Sequence, residues 1–476
     1  MTDTYADLLA CEDLLLFAGA ATAATGRREF HSGADDQRLS MDFLHDYVHQ
    51  TLPDLYAMTL ALHINDHHAA RVVHTLLGHP RPGAPAEERA RENGLIRRRL
   101  ARMPPQRVYR LFRRLAEDRV NNRRTRATMR DWLSARPHLD LDALKYRSGL
   151  HAAARHARLP LPPDVDRFLF SRTSRRRRIR YDSALLRAHG RAHYSAQDAY
   201  DLPYTVAEGF AAHHRVPRER FLERVRARTT RAERLRLDSA TRRAGVESRV
   251  DLGAMPLLRL CVYVLGMPMA EREERRRELQ EALTRAARRV AGPLAGTWPT
   301  TVAVLDDSYS SSGSPERRNH PLAAALACHH LLHALSPRAT SRWLSGHTDA
   351  LTVRPLGPTL LAEAVLDAVE SRPDRVVIVS DGHDDHPPLL SDALTVWRRR
   401  LDPDRATTVV HLNPVFDSDG LSLRPLSPAV PTIGLRDPDA LPSLVELARF
   451  GEGRLGLADL RAHMEATAAA YLESDT

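Results

Sequence analysis

The stretch TTVAVLDDSYS, residues 300–310, decides the fold class of the C-terminal part of this 476-residue chain. A short apolar, β-branched run leads into an acidic and hydroxyl-rich segment, which is typical of a buried strand that ends in a polar loop. Two similar runs follow, RVVIVS at 375–380 and TTVVHL at 407–412. Because helical patterns separate these strands, the sequence predicts a parallel sheet with helices on both faces.

The remaining elements of this part have weaker signals. Two further strands are predicted near residues 342–344 and 431–434. Helices are predicted at Pro321 to Leu335, Thr359 to Glu370, Leu389 to Arg400 and Pro442 to Arg449. The alternation of strands and helices predicts an α/β doubly wound domain over residues 299–476.

Ligands of such domains bind at the carboxyl ends of the strands. Three loops with oxygen ligands are predicted there. The first has the pattern DxSxS, the second carries a threonine before a helix, and the third carries an aspartate after the most hydrophobic strand. The candidate ligands are Asp306, Ser308, Ser310, Thr359 and Asp381. Carboxylates and hydroxyls are the hard ligands that Mg²⁺ or Mn²⁺ prefers, so the sequence predicts a divalent-metal site with an open coordination position.

Two other interpretations apply to these loops. Asp306 and Asp381 would alternatively cap the helices that follow them, although capping explains one loop at a time and not their common position. The segment His383 to His386, with the sequence HDDH, is either a polar loop at a helix start or a hydrolase centre. No nucleophile with a recognisable histidine partner and no GxxxxGK loop occurs, so we expect no enzyme activity.

Residues 5 to about 290 show helical periodicity almost throughout, with proline and glycine between the segments. Helical pairs in series predict an all-α, HEAT-like repeat region that stacks irregularly into an arc or a ring. The change of pattern near Trp298 places the expected domain boundary between residues 298 and 299.

The two predicted domains differ in charge. Residues 1–298 contain 54 basic and 36 acidic side chains, whereas residues 299–476 contain 16 and 24. A basic region of this size attracts polyanions, because phosphate neutralisation supplies most non-specific affinity for nucleic acid. Lys145 is the single lysine among the 70 basic residues, so the abundance of arginine itself is explained equally well by GC-rich codons.

The sequence also bears on the compartment. It contains no run of about eighteen apolar residues and no signal-peptide pattern, so we expect a cytoplasmic protein that does not bind a membrane. Cys11, Cys261 and Cys328 lie far apart in the sequence and predict neither a zinc cage nor a disulfide framework.

Residues 281–310, EALTRAARRVAGPLAGTWPTTVAVLDDSYS, resemble the junction between the helical module and the von Willebrand factor A domain in the TROVE family, which includes the Ro ribonucleoprotein and its bacterial relatives. Residues 121–126 (NNRRTR), the Lys145-Tyr146-Arg147 motif and the later His156 also resemble that family. The chain departs from the family pattern at Asp307 and Ser311, where a small apolar residue and a methionine are usual.

The resemblance implies a Ro-like RNA-binding protein without catalytic activity. Its helical ring would take single-stranded RNA ends, its basic outer surface would bind small structured Y-type RNA, and its A domain would hold Mg²⁺. The RNA-binding candidates are Arg123, Arg124, Arg126, Lys145, Arg147, Arg155, His156, Arg175, Arg176, Arg177 and Arg178. With only 5% aromatic residues, we expect recognition mainly of phosphate and shape.

The alternative is a metal-dependent adaptor or scaffold that binds no RNA. Its A domain would bind a carboxylate of a protein partner through the metal ion, and the basic helices would only support it. A metal hydrolase at residues 381–386 is a third hypothesis.

Overall fold

The structure, a computed structural model, describes residues 5–30, 33–171, 179–225, 229–230, 233–234, 237, 251–384, 387–417, 423–437, 441 and 456–474. The chain forms two compact units. The first combines residues 1–69 with residues 251–475, and the second contains residues 70–250. The boundary expected at residue 298 therefore falls inside the first unit, because the N-terminal helices pack against the sheet-containing part.

In the first unit, helices come before, between and after the strands along the chain. Its helices are α1 Tyr5–Ala23, α2 Ala34–Thr51, α3 Pro53–Met58, α15 Leu257–Leu265, α16 Met269–Glu274, α17 Arg276–Ala291, α18 His320–Leu335, α19 Leu361–Glu370, α20 Leu390–Arg400 and α21 Leu457–Glu473. Helix α4, Asp66–Gly78, crosses the boundary between the units. The helix predicted at Pro442 to Arg449 lies outside the described residues.

The sheet has five strands, all parallel. They are β1 Thr301–Leu305, β2 Ala339–Trp343, β3 Arg375–Val379, β4 Thr408–Asn413 and β5 Thr432–Gly434, in the order β2-β1-β3-β4-β5. Every residue of β1 is buried, as the apolar run at 300–305 predicts for a strand covered on both faces. The coarse prediction of a helical region and an α/β region is confirmed.

Helices cover both faces of this sheet. On one face, α19 and α20 bury a core that includes Val304, Ile378, Val365 and Trp397. Helix α18 packs against β1 on the other face, and α15 and α17 pack against α18. Both faces of β1 are thus dry, and the polar side chains Asp306 and Asp307 follow directly after its last residue.

Helix α1 packs across the backbone of β5. The contact needs glycine at position 434, because a Cβ atom there would overlap the backbone oxygen of Gly19. At the other end of the chain, Arg461 of α21 forms an ion pair with Asp54 of α3. The first contact attaches α1 to the sheet, and the ion pair attaches the C-terminal helix to the N-terminal helices, which explains why these segments belong to the first unit.

The second unit is entirely helical over its described residues. Its helices are α5 Ala86–Arg102, α6 Pro105–Glu117, α7 Arg123–Ser134, α8 Leu139–Lys145, α9 Arg147–Ala157, α10 Pro163–Phe170, α11 Ala184–Ala192, α12 Ala196–Ala199, α13 Tyr204–His213 and α14 Arg218–Val225. Helix α6 has apolar residues at three- and four-residue spacing, and Val108, Leu111, Phe112 and Leu115 are all buried.

A buried polar network fixes α6 to α8. The Tyr109 hydroxyl donates to Asp142 Oδ2 at 2.9 Å, and Arg136 donates to both oxygens of the same carboxylate, at 2.7 and 3.1 Å. Burial and the nearby Asp142 raise the pKa of Tyr109 far above its usual range. The tyrosine therefore stays protonated, and Asp142, 1% exposed, has its charge compensated by Arg136.

Among the described residues, none of the helices is both long enough and apolar enough to cross a membrane.

Candidate functional site

The candidate metal centre lies where β1 and β3 end. The two strands are neighbours, and Leu305 pairs with Val379 at their last residues. The chain leaves β1 for β2 on one side of the sheet and later continues through β3 on the other side, so the gap above β1 and β3 is a topological switch point. Asp306 follows β1 directly, and Asp381 follows β3 two residues after its end. Both predicted carboxylates are therefore at the same edge of the sheet.

The Asp306 carboxylate is held by hydrogen bonds from both loops. Its Oδ1 accepts from the Ser308 backbone N–H at 2.9 Å, and its Oδ2 accepts from the Ser380 hydroxyl at 2.8 Å. Asp306 is 4% exposed and Asp381 is 5% exposed. Burial, followed by the negative charge of Asp381, raises the pKa of Asp306 to about 7. A cation bound beside two buried acids that repel each other would stabilise the ionised form of both.

A small cavity of about 10 Å³ separates these groups. Its lining residues are Asp306, Ser311, Pro321, Val379, Ser380, Asp381 and Pro414. A volume of roughly 10–15 Å³ holds one water molecule, so the cavity has room for one small ion. The donor set, which consists of two carboxylates and hydroxyls, fits a hard divalent cation such as Mg²⁺.

The structure places the three predicted hydroxyl ligands beside this cavity and not in its lining. Ser308 Oγ and Ser310 Oγ are 3.2 Å apart in the turn after β1. Thr359 is buried in a loop that is tied to the same turn, because Tyr309 N–H donates to the Gly357 carbonyl at 3.0 Å. The cavity is lined instead by two hydroxyls that sequence reasoning missed, Ser311 and Ser380.

The two carboxylates do not act as simple helix caps. Asp381 Oδ1 accepts from His383 N–H at 3.0 Å, and Asp306 accepts from Ser308 N–H, so each aspartate closes its own short turn. Within the HDDH segment, Asp384 accepts from the N–H of Leu390, at the start of α20, at 2.6 Å. Asp385 and His386 lie outside the described residues.

A second polar group borders the centre on the β2 side. Asp307, fully buried, accepts from the Ser345 N–H at 2.9 Å and lies 3.0 Å from Nδ1 of His347. Its backbone carbonyl accepts from Leu356 N–H at 2.7 Å. Asp307 thereby connects the loops that follow β1 and β2 with the loop that carries Thr359. The sequence signal for this role was a second acidic residue directly after Asp306.

Over the described ranges, no group of three or more His, Cys, Asp or Glu side chains is placed to hold a metal ion. The candidate centre has only two carboxylates, so a metal ion there would take its remaining protein ligands from hydroxyl oxygens.

The second candidate site is a basic groove in the helical unit. Its volume is about 490 Å³, and its lining residues are Asn121, Arg126, Arg130, His156, Ala157 and Arg158. Arg126 and Arg130 are one turn apart on α7, while His156 and Arg158 come from the end of α9. None of the described residues that line it is acidic, which makes it a site of positive potential.

Hydrogen bonds fix the shape of the groove. The Asn121 side-chain amide donates to the His156 carbonyl at 3.0 Å, and Arg126 donates to the Asn121 carbonyl at 2.9 Å. His156 Nε2 lies 2.9 Å from the Val120 carbonyl, so this nitrogen carries the hydrogen and Nδ1 remains an acceptor in the neutral ring. Arg158 adopts a left-handed conformation, with φ of 50°, at the end of α9.

The other predicted RNA-binding residues divide into three groups. Arg124 pairs with the buried Glu92 at 2.6 Å, and Arg147 donates to the Leu169 carbonyl at 3.0 Å, so both have structural partners. Arg123 and Arg155 are exposed and Lys145 is half-buried, and none of the three has an acidic partner in the part of the chain that the structure describes. Residues 175–178 (RRRR) lie outside the described residues.

Tyr146, the central residue of the KYR motif, has a packing role. Its ring stacks on Tyr109 with centroids 5.5 Å apart and an interplanar angle of 29°. The motif therefore packs the junction between α8 and α9 against α6 through an aromatic contact, and leaves only Lys145 available to a ligand.

No protein-family model matches this chain, and a search of the curated proteins finds no match either.

Proposed function

We propose that this chain is a Ro-like RNA-binding protein. Its helical unit, a TROVE-like arc or ring of HEAT-like repeats, binds small structured RNA or single-stranded RNA ends. Its α/β part is a von Willebrand factor A-like domain that holds Mg²⁺ or Mn²⁺ at Asp306 and Asp381 and binds a protein partner there. The proposal includes no catalytic activity and places the protein in the cytoplasm.

The observation that carries the proposal is the distribution of charge between the two units. Residues 70–250 contain 43 arginine and lysine residues against 19 aspartate and glutamate residues, a formal net charge of +24. The rest of the chain contains 27 against 41, a net charge of −14. An effect of codon usage alone would act on both units, so the opposite signs support a polyanionic partner for the helical unit.

The basic groove supports phosphate as the group that is bound. Arg126, Arg130 and Arg158 have no acidic partner among the described residues, in contrast to Arg113 and Arg167, which are paired with Glu117 and Asp164. Guanidinium groups bind phosphate oxygens in a bidentate geometry. Because no Phe, Tyr or Trp is among the described residues that line the groove, we expect contacts to the RNA backbone with little base stacking and little sequence preference.

The test is a titration of the purified protein with a fluorescent hairpin RNA that has a single-stranded 3′ end, at several salt concentrations. The variant Arg126→Gln/Arg130→Gln/Arg158→Gln is expected to bind more weakly and to flatten the salt dependence by about 0.7 in slope for each phosphate that the groove no longer neutralises. The matched control is Arg113→Gln/Arg167→Gln, whose arginines are exposed and already paired.

Two outcomes of this titration, and one outcome of a nuclease and protease test on copurifying material, differ in meaning. If the wild type binds RNA with the expected salt dependence and the groove variant binds with the same affinity, the RNA binds elsewhere on the helical unit. No binding by the wild type at any salt concentration would remove the RNA proposal altogether. Copurifying material that survives RNase but not protease would favour the adaptor instead.

The adaptor is a second candidate function, favoured by the metal centre itself. Asp306 and Asp381 lie at a switch point with room for one ion, and a metal held there keeps a position for an outside ligand. A partner carboxylate would fill that position. If this candidate is correct, partner capture by the purified chain requires Mg²⁺ and is lost in Asp381→Asn, while RNase has no effect.

A further inference from the structure

Helix α18 carries three histidines, His329, His330 and His333, in the sequence HHLLH. Residues four apart lie on the same face of a helix, so His329 and His333 face in one direction. They face the edge strand β2, where Ser341 is half-buried. The Ser341 hydroxyl oxygen lies 2.9 Å from His329 Nδ1 and 3.2 Å from His333 Nε2.

Two imidazole nitrogens thus converge on one oxygen atom. The ring centroids of His329 and His333 are 4.6 Å apart, with an interplanar angle of 54°. With nitrogen–metal bonds of about 2.0–2.1 Å, two imidazole rings that share one metal at a right angle have centroids roughly 4.5 Å apart. The rings therefore already have the separation of a chelating pair.

The histidines are also in the protonation state that binds metal. Burial, followed by the neighbouring His330 and His333, lowers the pKa of His329 to about 2, and partial burial of the ring lowers the pKa of His333. Both rings are neutral near pH 7, and a neutral imidazole offers a lone pair to a metal without first losing a proton.

We propose that His329 and His333, with the Ser341 hydroxyl beside them, form a second metal site that takes a divalent transition metal such as Cu²⁺ or Zn²⁺. Imidazole ligands select these ions, with Cu²⁺ bound most tightly, whereas Mg²⁺ prefers oxygen. The site is chemically distinct from the carboxylate centre, shares no residue with it and does not depend on the proposed function. His333 is exposed, so the ion reaches the site from solvent, and water completes its coordination.

Trp343 provides a local reporter of this site. Its ring centroid lies 6.1 Å from that of His329, at the end of the same strand as Ser341. Bound Cu²⁺ quenches a nearby indole, so a Cu²⁺ titration followed by tryptophan fluorescence is expected to show a saturable phase. That phase is expected to disappear in Trp343→Phe, although three other tryptophans remain.

The decisive comparison uses histidine variants of the full chain in the same titration. His333→Asn is expected to raise the Kd of the saturable phase about tenfold or more, because it removes one of two strong ligands. The double variant His329→Asn/His333→Asn is expected to lose the phase. The control His138→Asn, at an exposed histidine in the other unit, is expected to match the wild type.

The proposal is overturned if His333→Asn keeps the wild-type Kd, or if Trp343→Phe is quenched in the same saturable way. Because His333 is exposed, His333→Asn leaves the core unchanged. This single variant therefore tests the histidine site even if the double variant does not fold. Asp306→Asn and an excess of Mg²⁺ are both expected to leave Cu²⁺ affinity unchanged. Competition by Mg²⁺ would instead place the Cu²⁺ at the carboxylate centre and reject the histidine site.

Discussion

Ser380 Oγ donates to Asp306 Oδ2 at 2.8 Å, and this bond joins the ends of β1 and β3 across the switch point of the sheet. The hydroxyl stabilises one buried carboxylate, while Asp381, the residue after Ser380, destabilises the ionised form of the same carboxylate. The two loops therefore hold negative charge in a place where only a cation or a proton fully compensates it.

The first prediction concerns the metal-free protein. Because the pKa of Asp306 is raised from 3.8 to about 7, the folded state keeps a proton that the unfolded chain loses between these pH values. The free energy of unfolding is therefore expected to fall as pH rises from about 4 to 7, by up to about 1.4 kcal/mol per pH unit. Urea unfolding in EDTA at several pH values measures this free energy. Asp306→Asn should remove its decrease with pH. An unchanged slope in that variant would assign it to other groups.

The second prediction concerns metal binding. Mg²⁺ or Mn²⁺ at 100 times its Kd is expected to stabilise the folded protein by about 2.7 kcal/mol, because the ion binds the folded state alone. Thermal unfolding with and without the ion detects the effect. Asp381→Asn is expected to abolish the shift, whereas Asp367→Asn, an exposed acid on α19, should retain it. Equal shifts in both variants would mean that the ion binds elsewhere.

The third prediction separates two neighbouring arginines of α7. Arg124 is paired with the buried Glu92, so Arg124→Gln is expected to reduce the free energy of unfolding by about 2 kcal/mol. Arg126 lines the groove, so Arg126→Gln is expected to weaken RNA binding with little loss of stability. Chemical unfolding measures the stability of each variant, and RNA titration measures its affinity for RNA. The roles would be contradicted if Arg124→Gln weakened RNA binding without loss of stability and Arg126→Gln lowered stability without loss of affinity.

The fourth prediction concerns Lys145, which has no acidic partner in the described part of the chain. If Lys145 contacts a single-stranded RNA end, Lys145→Ala is expected to lower the affinity for RNAs with a free end more than the affinity for closed hairpins. Competition between the two RNA types measures the ratio. The same loss of affinity for both types would assign Lys145 to general phosphate binding.

The fifth prediction concerns the buried network of the helical unit. Asp142→Ala removes the shared acceptor of Tyr109 and Arg136, and is expected to cost about 3–5 kcal/mol of stability. Glu117→Ala breaks an exposed pair with Arg113 and should cost less than about 1 kcal/mol. Urea unfolding followed through Trp132, whose ring lies 5.2 Å from that of Tyr109, compares the two.

Local patterns predicted the sheet well because each strand is short, apolar and followed by a polar loop. The strands at 301–305, 375–379 and 408–413 agree with the predicted runs to within one residue at each end. Strand β2, with alternating exposed residues at the sheet edge, begins three residues before its predicted start, because half of its side chains face solvent and give a weaker signal.

The sequence by itself determined which strands exist, and hence that Asp306 and Asp381 follow parallel strands at one edge of a sheet. It also determined that basic residues are concentrated before residue 298. Only the tertiary structure decided that residues 1–69 belong with the α/β part, that Ser380 and Ser311 line the ion-sized cavity, and that Arg124 is paired while Arg126 lines a groove. The physical reason is that strand formation follows from the spacing of apolar residues that are near one another in sequence. Partners such as Glu92 and Arg124 are 32 positions apart and meet only when helices pack.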